Sequence, residues 1–199
     1  MEITSEAVKK LRDKTGVGMM DCKKALVETN GDFDKAVELL RKKGMDVAAK
    51  RAGRTASQGV VASYIHLGGK VGVLVEVNCE SDFVAKSDNF TAFVKDISMH
   101  IAASNPLWIQ REDVPAEKLD SEREILKEQA LKTGKPEKVI EKIIEGKLSK
   151  FYAENCLLEQ PFVKDTDRTV KQLLDELIGK TGEKCVIRRF TRYQMGEEI

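Results

Sequence analysis

The sequence has neither paired cysteines nor an apolar run long enough to cross a membrane. Its four cysteines lie far apart and include no C-x-x-C pair, whereas metal sites and disulfide-dense scaffolds both need tighter spacing. No apolar segment follows a basic N-terminus, and no stretch reaches the roughly 18 apolar residues of a membrane helix. We therefore expect reduced thiols in a cytoplasmic protein that has no membrane partner.

Residues that commonly carry out chemistry are also scarce. The chain has two histidines, His66 and His100, and neither has a carboxylate or cysteine set around it at metal-ligand or catalytic spacing. It contains no G-x-S-x-G motif, no H-E-x-x-H motif and no phosphate-binding loop. Gly179-Lys180-Thr181 resembles the end of such a loop, but Leu174 occupies the position of its first glycine. We expect no chemical catalysis, no metal and no cofactor.

The chain also lacks an excess of charge of one sign. Its 34 basic and 33 acidic side chains leave a formal net charge of +1, which argues against a general nucleic-acid binder. Arg188, Arg189 and Arg192 form the most basic local cluster. They can line a solvated strand edge, or contact RNA with Phe190 and Tyr193 as stacking partners. Two classes stay open, a protein-binding regulator and an RNA- or ribosome-associated structural protein.

The N-terminal part of the chain is rich in helical patterns. Helices are predicted over residues 5–15 and 19–29, and a third lies between Asp32, its N-cap, and Gly44, its end. Their apolar positions are Ala7, Val8, Leu11, Cys22, Ala25, Leu26, Phe33, Ala36, Val37 and Leu40. This bundle, assigned to residues 1–45, resembles a ubiquitin-associated (UBA) domain.

The turn between the first two helices has two interpretations. Gly16-Val17-Gly18 is not a dinucleotide-binding motif, because Asp21 occupies the third glycine position and no strand precedes the turn. Met19 and Met20, which follow it, can complete the core of a small bundle. They can equally form an exposed and adaptable contact surface, for which methionine is often used. Composition alone favours the core.

The middle of the chain changes from helical to strand-like patterns. Residues 46–58 lose the apolar periodicity and are typical of a linker. Strands over residues 59–66 and 71–79, separated by a Gly-Gly turn, predict a β-hairpin. A helix over residues 88–103 has His100 at the border of its apolar face. That face consists of Phe90, Phe93, Val94, Ile97 and Ile101.

Residues 113–156 are predicted to form an antiparallel coiled-coil helical hairpin. Apolar positions recur at helical spacing on both sides of the break Thr133-Gly134-Lys135-Pro136. The elements predicted after it are a strand over residues 156–163, a helix over residues 169–178 and a strand over residues 185–193. The hairpin is thus an insertion in an α+β fold, whose small antiparallel sheet has helices on one side. We assign this α+β core to residues 59–112 and 157–199.

The strand predicted over residues 71–79 is followed by a predicted turn at residues 80–84. Polar turn-forming residues replace the alternation of the strand, and Phe83 follows an acid on a strand-to-helix turn. Side chains on such turns often point outward, but a lone phenylalanine more often caps the core beneath the turn. The residues alone favour a buried Phe83.

Two long blocks of sequence resemble one family. NCESDFVAK at residues 78–86 resembles a signature of bacterial translation elongation factor Ts, with Ser81 where the family commonly has threonine. LRDKTGVGMMDCKKAL at residues 11–26 resembles the family's other signature. The resemblance extends over nearly the whole chain and includes Ser104-Asn105-Pro106 and QPFV at residues 160–163. Longer members have a doubled core and a further C-terminal helix, whereas this chain resembles the short form.

The resemblance implies a guanine-nucleotide exchange factor for elongation factor Tu, without chemistry of its own and with no specific nucleic acid as partner. Such a factor binds Tu·GDP and promotes GDP release by displacing the elements of Tu that hold the magnesium ion and the phosphates. In this sequence the matching residues are Ser81, Asp82, Phe83 and Val84. Phe83 is expected to insert between side chains of Tu.

The resemblance also implies contacts outside this turn. The N-terminal signature implies that Leu11, Arg12, Met19 and Met20 bind Tu, which favours the exposed interpretation of the methionines. Further candidates for partner binding are His100, Val71 and Gly72. This chain resembles the short form, which has one copy of the core that longer members have twice. By the same analogy, two chains pair to rebuild the double core and form a homodimer that holds two Tu molecules.

Overall fold

The computed structural model describes residues 3–66, 68–132 and 136–198. In chain order its helices and strands are α1 (Ser5–Thr15), α2 (Met19–Glu28), α3 (Phe33–Arg51), β1 (Gln58–Ile65), β2 (Val71–Cys79), α4 (Asp82–Ala85), α5 (Asp88–Ser104), α6 (Ala116–Leu131), α7 (Glu137–Asn155), β3 (Pro161–Phe162), β4 (Asp165–Thr169), α8 (Val170–Thr181) and β5 (Val186–Gln194). Short 3₁₀ helices lie at Arg111–Asp113 and Leu157–Glu159. This mixture of helices with small sheets agrees with the predicted α+β class.

The first three helices pack around one apolar cluster. The Thr4 hydroxyl caps α1 by accepting the N–H of Ala7 at 3.2 Å, and the Asp32 carboxylate caps α3 by accepting the N–H of Lys35 at 3.0 Å. Helix α1 ends as predicted at Gly16, which has a φ of +67°. The buried cluster consists of Val8, Leu11, Cys22, Ala25, Leu26, Ala36 and Leu40. Helices this short depend on such packing more than on intrinsic propensity.

The third helix is longer than predicted. It does not end at Gly44 but continues to Arg51, so residues 46–51 of the predicted linker are helical. Gly44 is buried, and its Cα lies 2.9 Å from the position that a Cβ on Gly179 of α8 would occupy. Glycine inside a helical pattern lowers the helix propensity without proving an end. Here α3 passes through its glycine and packs closely against Gly179 of α8.

A three-stranded sheet has the order β1-β2-β5. Strands β1 and β2 form the predicted hairpin, in which Gly68 and Gly69 have φ values of +83° and +70°. Leu67, also part of the predicted turn, lies outside the described residues. Strand β2 alternates as predicted, because its odd-numbered positions from Val73 to Cys79 are buried. The carboxylate of Glu76 in β2 accepts a hydrogen bond from Arg189 of β5 at 2.7 Å.

Helix α5 confirms the predicted apolar face but not the predicted place of its histidine. Phe90, Phe93, Val94, Ile97 and Ile101 are all buried. His100, predicted at the border of this face, has no accessible surface. Its partners come from a part of the chain about 60 residues away, and helical periodicity carries no information about them.

Two helices, α6 and α7, occupy the predicted insertion at residues 113–156. They contact each other, and their buried side chains are Leu126, Ala130, Ile140 and Leu148. The predicted break at Thr133-Gly134-Lys135 lies outside the described residues, and Pro136 directly precedes α7. Two helices at this place in the chain were therefore predicted correctly.

The predicted strand over residues 156–163 is wrong for most of its length. Leu157–Glu159 form a 3₁₀ helix, and only Pro161–Phe162 form a strand, β3. Strand β3 pairs antiparallel with β4, whose sequence DTDRT has no apolar alternation and was not predicted. Helix α8 and strand β5 agree with their predictions apart from one to three residues at the ends.

The chain divides into two compact units. One contains the residues up to Ser63, Leu74–Asp96 and Gln172–Phe190; the other contains Tyr64–Val73, Ile97–Lys171 and the residues from Thr191 onward. The N-terminal helices, α4 and most of α8 thus belong to the same unit. Across the described ranges, none of the helices combines the length and the apolar character that crossing a bilayer requires.

Candidate partner-binding site

The connection between β2 and α5, residues 80–87, presents an aromatic side chain to solvent. Ser81 is the N-cap of the single-turn helix α4, and its hydroxyl accepts the N–H of Val84 at 3.3 Å. Val84 and Ala85 are buried, whereas Phe83 is 81% exposed. The expectation that Phe83 caps the core is therefore wrong. Its ring makes no contribution to the interior that would explain a large aromatic at this position. We call residues 80–87 the Phe83 turn.

Two residues from the far end of the chain hold the Phe83 turn in place. The Glu183 carboxylate accepts the N–H of Ser81 at 2.9 Å through Oε2 and the hydroxyl of Ser81 at 2.7 Å through Oε1. The N–H of Lys184 donates to Oε1 of Glu80 at 2.7 Å. These bonds fix the backbone just before Phe83, so the ring is presented from an ordered turn and little conformational entropy is lost when it binds.

Sequence reasoning missed Glu183 and Lys184. They lie just over 100 residues from their partners in the Phe83 turn. No periodicity or local motif links such distant positions. A glutamate next to the Gly182 turn, which has a φ of +68°, is the one local feature that could have drawn attention to this loop.

Asp82 is exposed beside Phe83 and is paired within the turn. Its Oδ2 lies 3.0 Å from Nζ of Lys86. The hydrogen bond from Lys86, together with the charge of that lysine, holds the pKa of the Asp82 carboxyl below its usual range. The carboxylate therefore stays ionised at neutral pH and can accept hydrogen bonds from a partner that replaces Lys86.

The N-terminal helices present a second exposed apolar surface. Met19 is 42% exposed and Met20 is 66% exposed, so the interpretation that they complete the bundle core is wrong. Met20 lines a shallow groove on α2 together with Lys23, Lys24, Val27 and Glu28. Flexible methionine side chains beside a groove can adapt to the shape of a partner.

The remaining predicted site residues are divided between the surface and the interior. Arg12 is exposed, and Val71 and Gly72 are half-buried at the start of β2. Leu11 has no accessible surface because it belongs to the apolar cluster of the N-terminal helices. The side chains of Leu11 and His100 thus do not reach the surface of this structure.

His100 is held by neutral groups of its own unit. Its Nδ1 accepts the N–H of Val163 at 3.3 Å, so Nε2 carries the proton and donates to Oε1 of Gln160 at 2.9 Å. The Phe162 ring lies 5.9 Å away between centroids. Burial lowers the pKa of His100, while the hydrogen bond with Gln160 opposes that shift.

The four cysteines are free and buried. Burial raises the pKa of the Cys156 thiol to about 11 and that of the Cys185 thiol to about 12. Both are therefore protonated at neutral pH, the form that is neither a good nucleophile nor a good metal ligand. In the part of the chain that the structure describes, no three His, Cys, Asp or Glu side chains are grouped to hold a metal ion.

Comparison with known proteins finds relatives along the whole chain. The family model described as Elongation factor TS matches residues 2–197. Elongation factor Ts of Desulforamulus reducens is 60% identical over 198 residues, which cover 100% of this chain and 91% of the relative. Elongation factor Ts of Moorella thermoacetica is 62% identical, and the match covers 99% of this chain and 97% of the relative. Elongation factor Ts of Geobacter sulfurreducens is also 62% identical, and the match covers 100% of this chain and 92% of the relative.

Proposed function

The chain belongs to the elongation factor Ts family, and on this basis we infer that it is a guanine-nucleotide exchange factor for elongation factor Tu in translation elongation. An exchange factor makes and breaks no covalent bond. It speeds nucleotide release only by binding the nucleotide-poor state of its partner better than the GDP-bound state. Because such coupling is reciprocal, bound GDP weakens the factor as much as the factor weakens GDP.

The Phe83 turn is the part of the molecule that we assign to this preference. Phe83 inserts between side chains of Tu, and the resulting shift displaces the elements that hold the magnesium ion and the phosphates. Burial of a phenylalanine side chain provides about 1.5–3 kcal/mol, which is available only in the complex because the ring is 81% exposed in the free protein. That exposure, on a turn fixed by Glu183, is the observation on which this assignment rests.

The neighbouring residues of the turn have supporting roles. Asp82 accepts hydrogen bonds from Tu, for which its low pKa keeps it ionised. Ser81 and Val84 shape the turn, the first as N-cap and the second as its buried anchor. The factor contributes no magnesium ligand of its own.

The N-terminal helices supply a second contact with Tu. Met19 and Met20 form its centre, and the exposed Arg12 of α1 contributes to it. Val71 and Gly72 at the start of β2 are separate candidates for contact with Tu. Leu11 and His100 are left out of the contact surface, because their side chains are fully buried. Leu11 instead packs in the apolar cluster beneath the N-terminal helices.

We further propose that the protein is a cytoplasmic homodimer that holds two Tu molecules. In this arrangement the UBA-like domain at residues 1–45 binds Tu, residues 59–112 and 157–199 pair the two copies, and residues 113–156 form a coiled-coil hairpin. Exposed apolar side chains on the neighbouring strands β1 and β2, among them Val61 and Leu74, support pairing through the sheet.

An RNA- or ribosome-associated role is less well supported. Of the basic cluster near the C-terminus, Arg189 is paired with Glu76 at 2.7 Å, and Arg192 donates to the carbonyl of Ala102 at 3.2 Å and to Gln194 at 2.7 Å. Guanidinium groups engaged in this way are less available for phosphate.

The direct test is stopped-flow release of a fluorescent GDP from Tu, with and without this protein. We expect release to accelerate with the concentration of the factor and to reach a plateau. Release that does not accelerate, together with a shift of structured RNA by the protein at moderate salt, would favour the RNA-associated role.

A further inference from the structure

Two glycines bring helices α3 and α8 into backbone contact. A Cβ on Gly179 would lie 2.9 Å from the Cα of Gly44, closer than real Cβ atoms come to other atoms. The reverse substitution is easier, because a Cβ on Gly44 would meet the carbonyl oxygen of Asp175 at 3.5 Å and the Cα of Gly179 at 3.9 Å. The contact therefore requires glycine at position 179, whereas position 44 has room for the Cβ of an alanine.

Lys184, in the loop after α8, adds hydrogen bonds between that loop and the residues that follow α3. Its Nζ donates to the carbonyl oxygens of Ala52 and Arg54 at 2.7 and 2.8 Å, just beyond the last residue of the helix. Arg54 in turn donates to Oε2 of Glu80 at 3.1 Å, and the other oxygen of Glu80 accepts the N–H of Lys184. The end of α3 is thus bonded to the first residue of the Phe83 turn.

The other end of the N-terminal bundle also meets α8. The side chain of Lys180 lies 3.1–3.5 Å from the position that a Cβ on Gly16 would occupy. Gly16 is the cap that ends α1, three residues before Met19. Contacts with α8 and the loop after it therefore extend from the turn that carries the methionines to the turn that carries Phe83.

We propose that the α3–α8 contact, formed by Gly44 and Gly179 and closed by Lys184, holds the two partner-binding surfaces at a fixed separation, so that both engage one partner together. This inference rests on the proposed function. Two linked contacts bind far more tightly than either alone when their geometry matches the partner, and that gain is lost when the link is loose. Gly179 is in this sense a positioning residue, since its role in binding is exerted through α3.

The test compares Gly179→Ala with a matched control in the full-length protein. Gly146→Ala places the same methyl group inside helix α7, where the new Cβ meets no described atom within 4 Å apart from the neighbouring backbone of α7 itself. Both changes raise intrinsic helix propensity, so only the clash with α3 distinguishes them. Gly44→Ala should rank between the two variants.

Two readouts are needed, hydrogen exchange of the amides at residues 44–54 and 175–184, and stimulated GDP release at increasing concentrations of the factor. For Gly179→Ala we expect faster exchange in both segments. We also expect the concentration for half-maximal release to rise about tenfold or more, as for loss of a linked contact, with an unchanged maximal rate. Gly146→Ala should match the wild type in both readouts.

The inference is overturned if Gly179→Ala leaves the exchange of these segments unchanged, or if it speeds exchange without raising the half-maximal concentration. Should Gly179→Ala fail to fold, Lys184→Met removes two hydrogen bonds at the end of α3 and should raise the half-maximal concentration to a smaller extent; no rise contradicts the proposal. Failure of the proposed function itself is distinct, because the wild type would then not stimulate release at all.

Discussion

The exposed ring of Phe83 is a departure from the way that this chain treats its other phenylalanines on the same stretch, Phe90 and Phe93, which are buried. Single exposed apolar side chains are common on protein surfaces and need no explanation by themselves. Phe83 differs because Glu183 orders the backbone beside it through two hydrogen bonds with Ser81. An ordered turn that leaves its largest side chain in water is suited to binding another molecule.

The methionines of the N-terminal surface should affect binding more than the exchange step. We expect Met19→Ala combined with Met20→Ala to raise the concentration for half-maximal GDP release about tenfold, because each side chain loses part of the 1.5–3 kcal/mol of a buried methionine. The maximal rate and the thermal stability should change little, since both side chains are exposed. A lower maximal rate at unchanged half-maximal concentration would contradict this assignment.

His100 should make the free energy of unfolding depend on pH just below the unfolded pKa of histidine, about 6.5. Burial lowers its pKa in the folded protein, so the unfolded chain takes up the proton first as the pH falls. Stability is therefore complete above the unfolded pKa of about 6.5 and declines below it, by at most about 1.4 kcal/mol per pH unit. Urea unfolding at pH 7.5 and 5.5 measures this loss.

The matched variant is His100→Gln, which cannot titrate. Its absolute stability is expected to be lower, so the comparison concerns only the change in unfolding free energy between the two pH values. That change should be smaller in the variant than in the wild type. An equal change in both proteins would show that His100 is not the source of the loss.

At the scale of elements, the Phe83 turn depends on the loop that follows α8. Glu183→Gln keeps the size of the side chain but removes its charge and one of the two acceptor oxygens that bind Ser81. We expect a loss of about 1 kcal/mol in unfolding free energy and faster hydrogen exchange at the amide of Ser81. Stimulated GDP release should slow because the ring is presented less rigidly.

A suitable control for this variant is Glu38→Gln on α3. Glu38 pairs with Lys42 at the surface, and exposed pairs of this kind contribute little to stability. The prediction for Glu183 fails if both substitutions change the stability and the exchange at Ser81 to the same small extent.

Elements that are determined by nearby residues, such as helix caps and turn-forming glycines, could be predicted from the sequence. Helix α1, with its Thr4 and Gly16 caps, and the β1–β2 hairpin follow from periodicity and turn chemistry within a few residues. Strand β4 could not be predicted, because its polar sequence is extended only through pairing with β3. The prediction that Gly44 ends α3 was wrong, because a glycine inside a helical pattern does not by itself end a helix.

The candidate site shows the same division. Signature blocks in the sequence identified the residues around Phe83 and Met19, but the residues alone favoured burial of these side chains, which the structure contradicts. Residue burial on a turn is decided by what packs beneath it, and a local pattern contains no such information. The contacts of Glu183 and the burial of His100 both depend on partners at least 60 residues away.

At the scale of the whole molecule, the proposed homodimer predicts a sensitivity to charge on the sheet. Val61 and Leu74 are exposed on β1 and β2. If pairing buries these side chains between two copies, a lysine at either position would place a charge in the interface and oppose dimer formation. We expect the wild type to sediment as a dimer at micromolar concentrations and Val61→Lys combined with Leu74→Lys to sediment as a monomer. Ile125→Lys, an exposed position on α6, should leave the dimer intact, and a monomeric wild type would contradict the proposal.

The central claim, that an exposed ring on an ordered turn drives nucleotide release, is tested most directly by Phe83→Ala in stopped-flow GDP release from Tu at saturating factor. Loss of about 1.5–3 kcal/mol of contact energy predicts a maximal rate about 10- to 150-fold lower, with an unchanged melting temperature because the ring is exposed. An unchanged maximal rate, or a rate lowered only as far as the variant is unfolded, would contradict the claim.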